Sequence, residues 1–180
     1  MTSRLFVLLA LSGMLFSMPV SLCAQTSEES SAPQCQHASN DHASHDHDAM
    51  MGRGEKGMGF SQTKTTHHFL LTREGGVIAV SANDAKDSES REQIRMHLMH
   101  IARSFSEGNF DIPMFVHDQV PPGVEVMKKH AREISYQFKQ TPAGGRVMVS
   151  SSSTEAIQAI HDFLVFQIQE HKTGDPTIAP

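Results

Sequence analysis

The same local pattern occurs twice in this chain, and that repetition limits the folds open to it. The alternating run Thr65-Thr66-His67-His68-Phe69-Leu70-Leu71 leads through Thr72-Arg73-Glu74-Gly75-Gly76 to Val77-Ile78-Ala79-Val80-Ser81, then to a polar loop and a helical pattern. Further on, Ile134, Tyr136 and Phe138 alternate with polar residues, Ala143-Gly144-Gly145 follows, and Val147 and Val149 alternate before a second helical pattern. Apolar runs parted by a glycine turn predict hairpins. Aligning the glycine pairs superposes Phe69 on Phe138, Ile78 on Val147 and Val80 on Val149. A lone hairpin exposes an apolar face. Two are therefore expected to pair into a four-stranded antiparallel sheet with both long helices on one face, an α+β fold of two ββα units. An interlocked version of these units, or a homodimer, satisfies the pattern too.

The helices follow from spacing. Ser88 or Ser90 is a candidate N-cap for a helix ending at Gly108, with Ile94, Leu98, Ile101 and Phe105 as its buried stripe. Ser153 or Thr154 caps another that runs to about His171, with Ile157, Ile160, Leu164 and Ile168 inward. Between the units, Pro121-Pro122-Gly123 predicts a short connecting helix through Met127 to about Glu133. The stretch Asn109 to Asp118 is too apolar for a free loop.

Upstream the composition changes. Residues 1–24 hold Arg4, the apolar run Leu5 to Leu11 and the small-residue ending Ser21-Leu22-Cys23-Ala24, the order of a secretory signal cut after Ala24. Lipidation at Cys23 is the weaker alternative, because Leu22 is not small. Cleavage leaves Cys35 as the remaining cysteine, with His37 nearby as a soft-metal neighbour. Residues 25–61 are Ser-, Asp-, Gly- and His-rich and are expected to form a disordered tether. The folded domain is expected over 62–175, with 176–180 as a flexible end.

The chain holds twelve His and eleven Met but one Tyr and no Trp, a bias that points to late transition metals. Net charge is -5 without a basic stripe, which excludes the electrostatic footprint of nucleic-acid binding. In the tether, His42, His45, His47, Met50 and Met51 can wrap a metal ion loosely. Within the domain, Met96, His97 and His100 lie at helical spacing and make the leading ligand face. His67 or His68, adjacent in a strand, contributes from whichever of them faces inward. His117 beside Asp118 is a further ligand, or a base in a small enzyme. His161 reads as a hydrogen-bonded core residue, His171 as a helix cap and His130 as solvated. The expectation is an exported, periplasmic or secreted binder of copper first, zinc or nickel next. Its rival is an envelope interaction module with structural histidines and a protein partner.

Met58-Gly59-Phe60, Thr65 to Phe69, Pro113 to Asp118, Pro121-Pro122-Gly123, His161 to Leu164 and Glu170 to Asp175 together resemble a family of small exported bacterial proteins. The resemblance spans Met58 to Asp175 and carries over no catalytic residue. Some members bear the name aspartate carbamoyltransferase. This chain is too short for that two-domain fold and lacks the Ser-Thr-Arg-Thr phosphate loop, so the activity is not expected here.

Overall fold

The structure is a computed structural model that describes the backbone of residues 39–180 and side chains from Asp48 onward. The expected signal segment, Cys23, Cys35 and His37 lie outside the described residues, as do the side chains of His42, His45 and His47. Strands β1 (Thr65–Thr72), β2 (Gly75–Ala82), β3 (Ile134–Thr141) and β4 (Gly144–Ser151) form one antiparallel sheet in the order β1-β2-β4-β3. The two hairpins thus meet through their second strands. Ile78 stands opposite Val147, and these are equivalent positions of the repeat. A pseudo-twofold axis therefore runs through the sheet at that pair.

Among the described residues five α-helices accompany the sheet: α1 (Ser39–Met58), α2 (Ser88–Ser106), α3 (Asp111–His117), α4 (Val124–Lys129) and α5 (Thr154–Glu170). Both long domain helices cover one sheet face, as their stripes require. Each crosses to the other unit: α2 packs chiefly on β4 and β3, and α5 on β1 and β2. The units are interlocked. Asp87 caps α2 by accepting from Ser90 N at 2.9 Å, and Ser153 caps α5 through Ala156 N at 3.4 Å. Phe105 and Phe110 stack at 4.3 Å beneath the edge of Phe163, so the connection enters the core at Phe110, where helix α3 begins.

The glycine pairs stand just past the turns rather than in them. Arg73-Glu74 and Pro142-Ala143 make the reversals, and the glycines open the return strands. A Cβ on Gly76 would fall on Leu164 Cδ1, and one on Gly75, at φ 141°, on the Val149 carbonyl. Glycine there lets β2 approach β4 and lets α5 seat on the sheet.

The expected tether is helical from Ser39. Its propensity is poor, so tertiary contact must hold it. Met50 is 3% exposed, Arg53 Nε donates to the Val116 carbonyl at 2.8 Å, and Gln62 Nε2 to the Met51 carbonyl at 2.8 Å. Gly57 lies over Val116, where α1 packs on α3.

The chain end is also tied down. The Asp175 carboxylate accepts from Phe69 N at 2.9 Å and Thr173 Oγ1 at 2.7 Å and lies 2.8 Å from His68 Nδ1. Arg73 Nε then donates to the Pro180 carbonyl at 3.2 Å, and Ala179 packs on the core, in place of the expected flexible end. Among the described residues no helix is long and apolar enough to cross a membrane.

Candidate functional site: a histidine-lined cavity

Alternation along β1 turns Thr65, His67, Phe69 and Leu71 toward the helices and Thr66, His68 and Leu70 away. The inward histidine is therefore His67. It stacks with Phe60 at 5.8 Å and with His171, just past α5, at 5.7 Å. His97 meets Phe60 edge-on at 5.5 Å from α2, and His117 meets His171 edge-on at 5.2 Å from α3. These four imidazoles, with Met58 and Gln167, line a cavity of about 60 Å³ whose remaining wall is apolar core.

Burial sets their charge. Desolvation, aided by the His68 charge, lowers the pKa of His67 to about 4. Burial first, then the His67 and His100 charges, lowers that of His97 to about 4. His117 is also lowered by burial, against the opposing Gln167 hydrogen bond and Glu170 charge. At neutral pH these rings are neutral and each carries one lone pair in the ring plane.

His117 Nε2 lies 3.0 Å from Gln167 Oε1, an acceptor, which assigns the proton to Nε2 and the lone pair to Nδ1. Nδ1 stands 3.8 Å from Glu170 Oε2 and makes no hydrogen bond. His67 Nε2 and Gln167 Nε2 are likewise buried without a hydrogen-bond partner. Unpaired buried polar atoms on one small cavity are costly and uncommon.

Two imidazoles on one ion place their ring centres about 5–6 Å apart at ordinary metal–nitrogen lengths. The His67–His171 and His117–His171 separations fall in that range. Orientation is less favourable. An ion sits in the plane of each ligating ring, which the edge-on pair allows, whereas the stacked pair, at 13°, must turn one ring. Among the described residues no group of three or more His, Cys, Asp or Glu side chains is arranged to hold a metal ion. The donors are gathered but not closed into a coordination shell.

Of the residues the sequence singles out, the cavity brings together His67, His97 and His117. His68 faces outward onto Asp175, and Met96 and His100 lie on the exposed side of α2. The i, i+3 pair His97 and His100 is divided between cavity and solvent. Met50 is buried under α1, and Met51 engages Gln62 through its backbone; neither lines the cavity. Asp118 is exposed at φ 54° while His117 turns inward to Gln167, so the proposed acid–base pair is not assembled.

His161 does hydrogen-bond, donating from Nε2 to the Thr72 carbonyl at 2.8 Å, but at a half-buried position outside the core. His130 is not solvated: Glu133 at 3.0 Å and Glu155 at 3.3 Å enclose it. Met58, Gln167 and His171 are additions to the expected set. Phe163, Gln167 and His171 recur every four residues along α5 and its C-cap, a spacing that could have revealed Gln167 and His171.

Comparison of the chain with models of known protein families, with curated proteins and with solved structures gives no match.

Proposed function

We propose that this chain is an exported protein that holds one transition-metal ion, copper in preference to zinc or nickel, in the histidine-lined cavity. His67, His97, His117 and His171 supply the nitrogens and Met58 a soft thioether. The observation that carries the reading is a pair of buried nitrogens without a hydrogen-bond partner, His67 Nε2 and His117 Nδ1, on two residues that line one cavity. A neutral imidazole nitrogen kept from hydrogen-bond donors loses its stabilisation unless an electrophile meets it, and a metal ion is one that neighbouring imidazoles and a thioether would hold together. Binding requires one ring of the stacked pair to turn. His42, His45 and His47 form a looser capture set upstream; Met50, being buried, does not join them.

The rival is an envelope interaction module whose histidines pack as aromatic rings. Its support is the near-parallel stacking of His67 on His171. Calorimetric titration of the full chain with Cu(I), Cu(II), Zn(II) and Ni(II) separates the readings. His67→Asn with His171→Asn should remove one tight equivalent, and changing His42, His45 and His47 to Ser should remove only weak binding. Unchanged stoichiometry and affinity in the cavity variant would sink the metal reading and leave the module.

A further inference from the structure

Helix α2 presents a second set of metal donors that the cavity does not use. Met96 is 59% exposed and Met99 48% exposed, and His100 is exposed beside them. Their spacing is i, i+3 and i+4, which sets the two later side chains one turn above Met96 and flanking it, with Cβ atoms about 5–6 Å from its own. The other large exposed apolar side chains described, Leu70, Phe115, Val120 and Ile178, stand on other elements. Among the described residues, this is the one helix face that holds two exposed thioethers together, with an exposed imidazole beside them.

His100 is oriented by its neighbour one turn on. Ser104 Oγ lies 3.4 Å from Nε2, the kind of outer contact that fixes a ligating imidazole and directs Nδ1 to the metal. Two thioethers and one imidazole form a soft, uncharged, three-donor set. It suits Cu(I), a d10 ion that accepts three donors, and disfavours Zn(II), for which thioether is a poor ligand. His97, next to Met96 on the same turn, lines the cavity. An ion held by Met96, Met99 and His100 is therefore one residue from the cavity wall.

We infer that Met96, Met99 and His100 form an exposed Cu(I) acceptor site on α2, from which the ion passes by His97 into the cavity. The acceptor site stands by itself, whereas the passage rests on the cavity reading. His97 and the three acceptor donors lie on one capped helix, so passage requires side-chain rotation and no movement of the fold.

The test is anaerobic titration of the full chain with Cu(I) against a coloured Cu(I) chelator, with copper-edge X-ray absorption to count sulfur donors. Met96→Leu with Met99→Leu keeps shape and exposure and changes only the donor atoms; far-UV circular dichroism and Tm should not move. We expect this variant to lose one Cu(I) equivalent and most of its sulfur scattering, to bind Zn(II) as before, and to load the cavity at least tenfold more slowly. His100→Gln should weaken the same equivalent. If stoichiometry, sulfur count and loading rate all match wild type, the acceptor site does not exist. If His67→Asn with His171→Asn keeps the thioether-bound equivalent but lacks the second, both sites stand. If that variant instead matches wild type while the methionine variant is impaired, the surface site stands and the cavity reading falls.

Discussion

Acid should unfold this domain through its buried histidines. His67 and His97 each titrate at about 4 in the folded chain and at the ordinary 6.5 once unfolded. Between those values the unfolded chain binds two protons that the folded chain does not, so stability rises with pH and falls as acid is added. Each group contributes about 1.4 kcal/mol per pH unit, or about 2.7 kcal/mol per unit for the pair. From about pH 8 to about pH 5 the loss amounts to about 4 kcal/mol, a large share of the roughly 5–15 kcal/mol that holds an ordinary domain together. His117 is displaced in the same direction and steepens the slope. Urea unfolding followed by far-UV circular dichroism, in the presence of a chelator, measures it directly. His67→Phe, whose ring joins one stacked on Phe60, should lower the slope by about 1.4 kcal/mol per unit. A free energy that stays level across this range, or a slope that His67→Phe leaves alone, would refute the claim that these rings are held neutral by burial.

Other outcomes follow from particular contacts. If the cavity holds an ion as proposed, equilibrium dialysis at about pH 5.5 should retain it, because burial keeps His67 and His97 neutral at that pH. Gly123→Ala places a Cβ on the Ala159 carbonyl at φ 81° and should cost about 1–3 kcal/mol or more in urea. Gly174→Ala, at φ 75° with open space around it, should cost only about 1 kcal/mol. Asp175→Ala strips the partner from Phe69 N and should lower stability by about 1–3 kcal/mol. It should also expose residues 172–180 to limited proteolysis; an uncut tail would show that Asp175 does not fasten it.

Local pattern was enough to read the sheet, both long helices, the Ser153 cap and the hydrogen-bonded role of His161, whereas α2 is capped by Asp87 and not by Ser88 or Ser90. Period and capping depend on residues close in sequence, and here they agree. What escaped depends on partners far along the chain. Helix α1 has the composition of a linker and becomes ordered because Arg53 finds the Val116 carbonyl 63 residues away. His68 is indistinguishable from His67 until Asp175 meets it across 107 residues. The glycine pairs read as turns because turns are the commonest use of glycine, whereas Leu164 and Val149 are what require them. His171 looked complete as a helix cap, and its N–H does bond to the Gln167 carbonyl at 3.0 Å; its ring is a separate matter, decided by β1.

The crossing of α2 and α5 over each other's hairpins has a consequence for assembly. A chain emerging from its first residue has made β1, β2 and α2 long before the strands that α2 covers exist. No early half can close its own apolar face, and the sheet is sealed only when β4 pairs with β2. Folding should be slow for a domain of this size and should appear as a single late event, since non-local pairings dominate its rate. Two fragments cut between α3 and α4 should each remain open alone and recover the native spectrum on mixing.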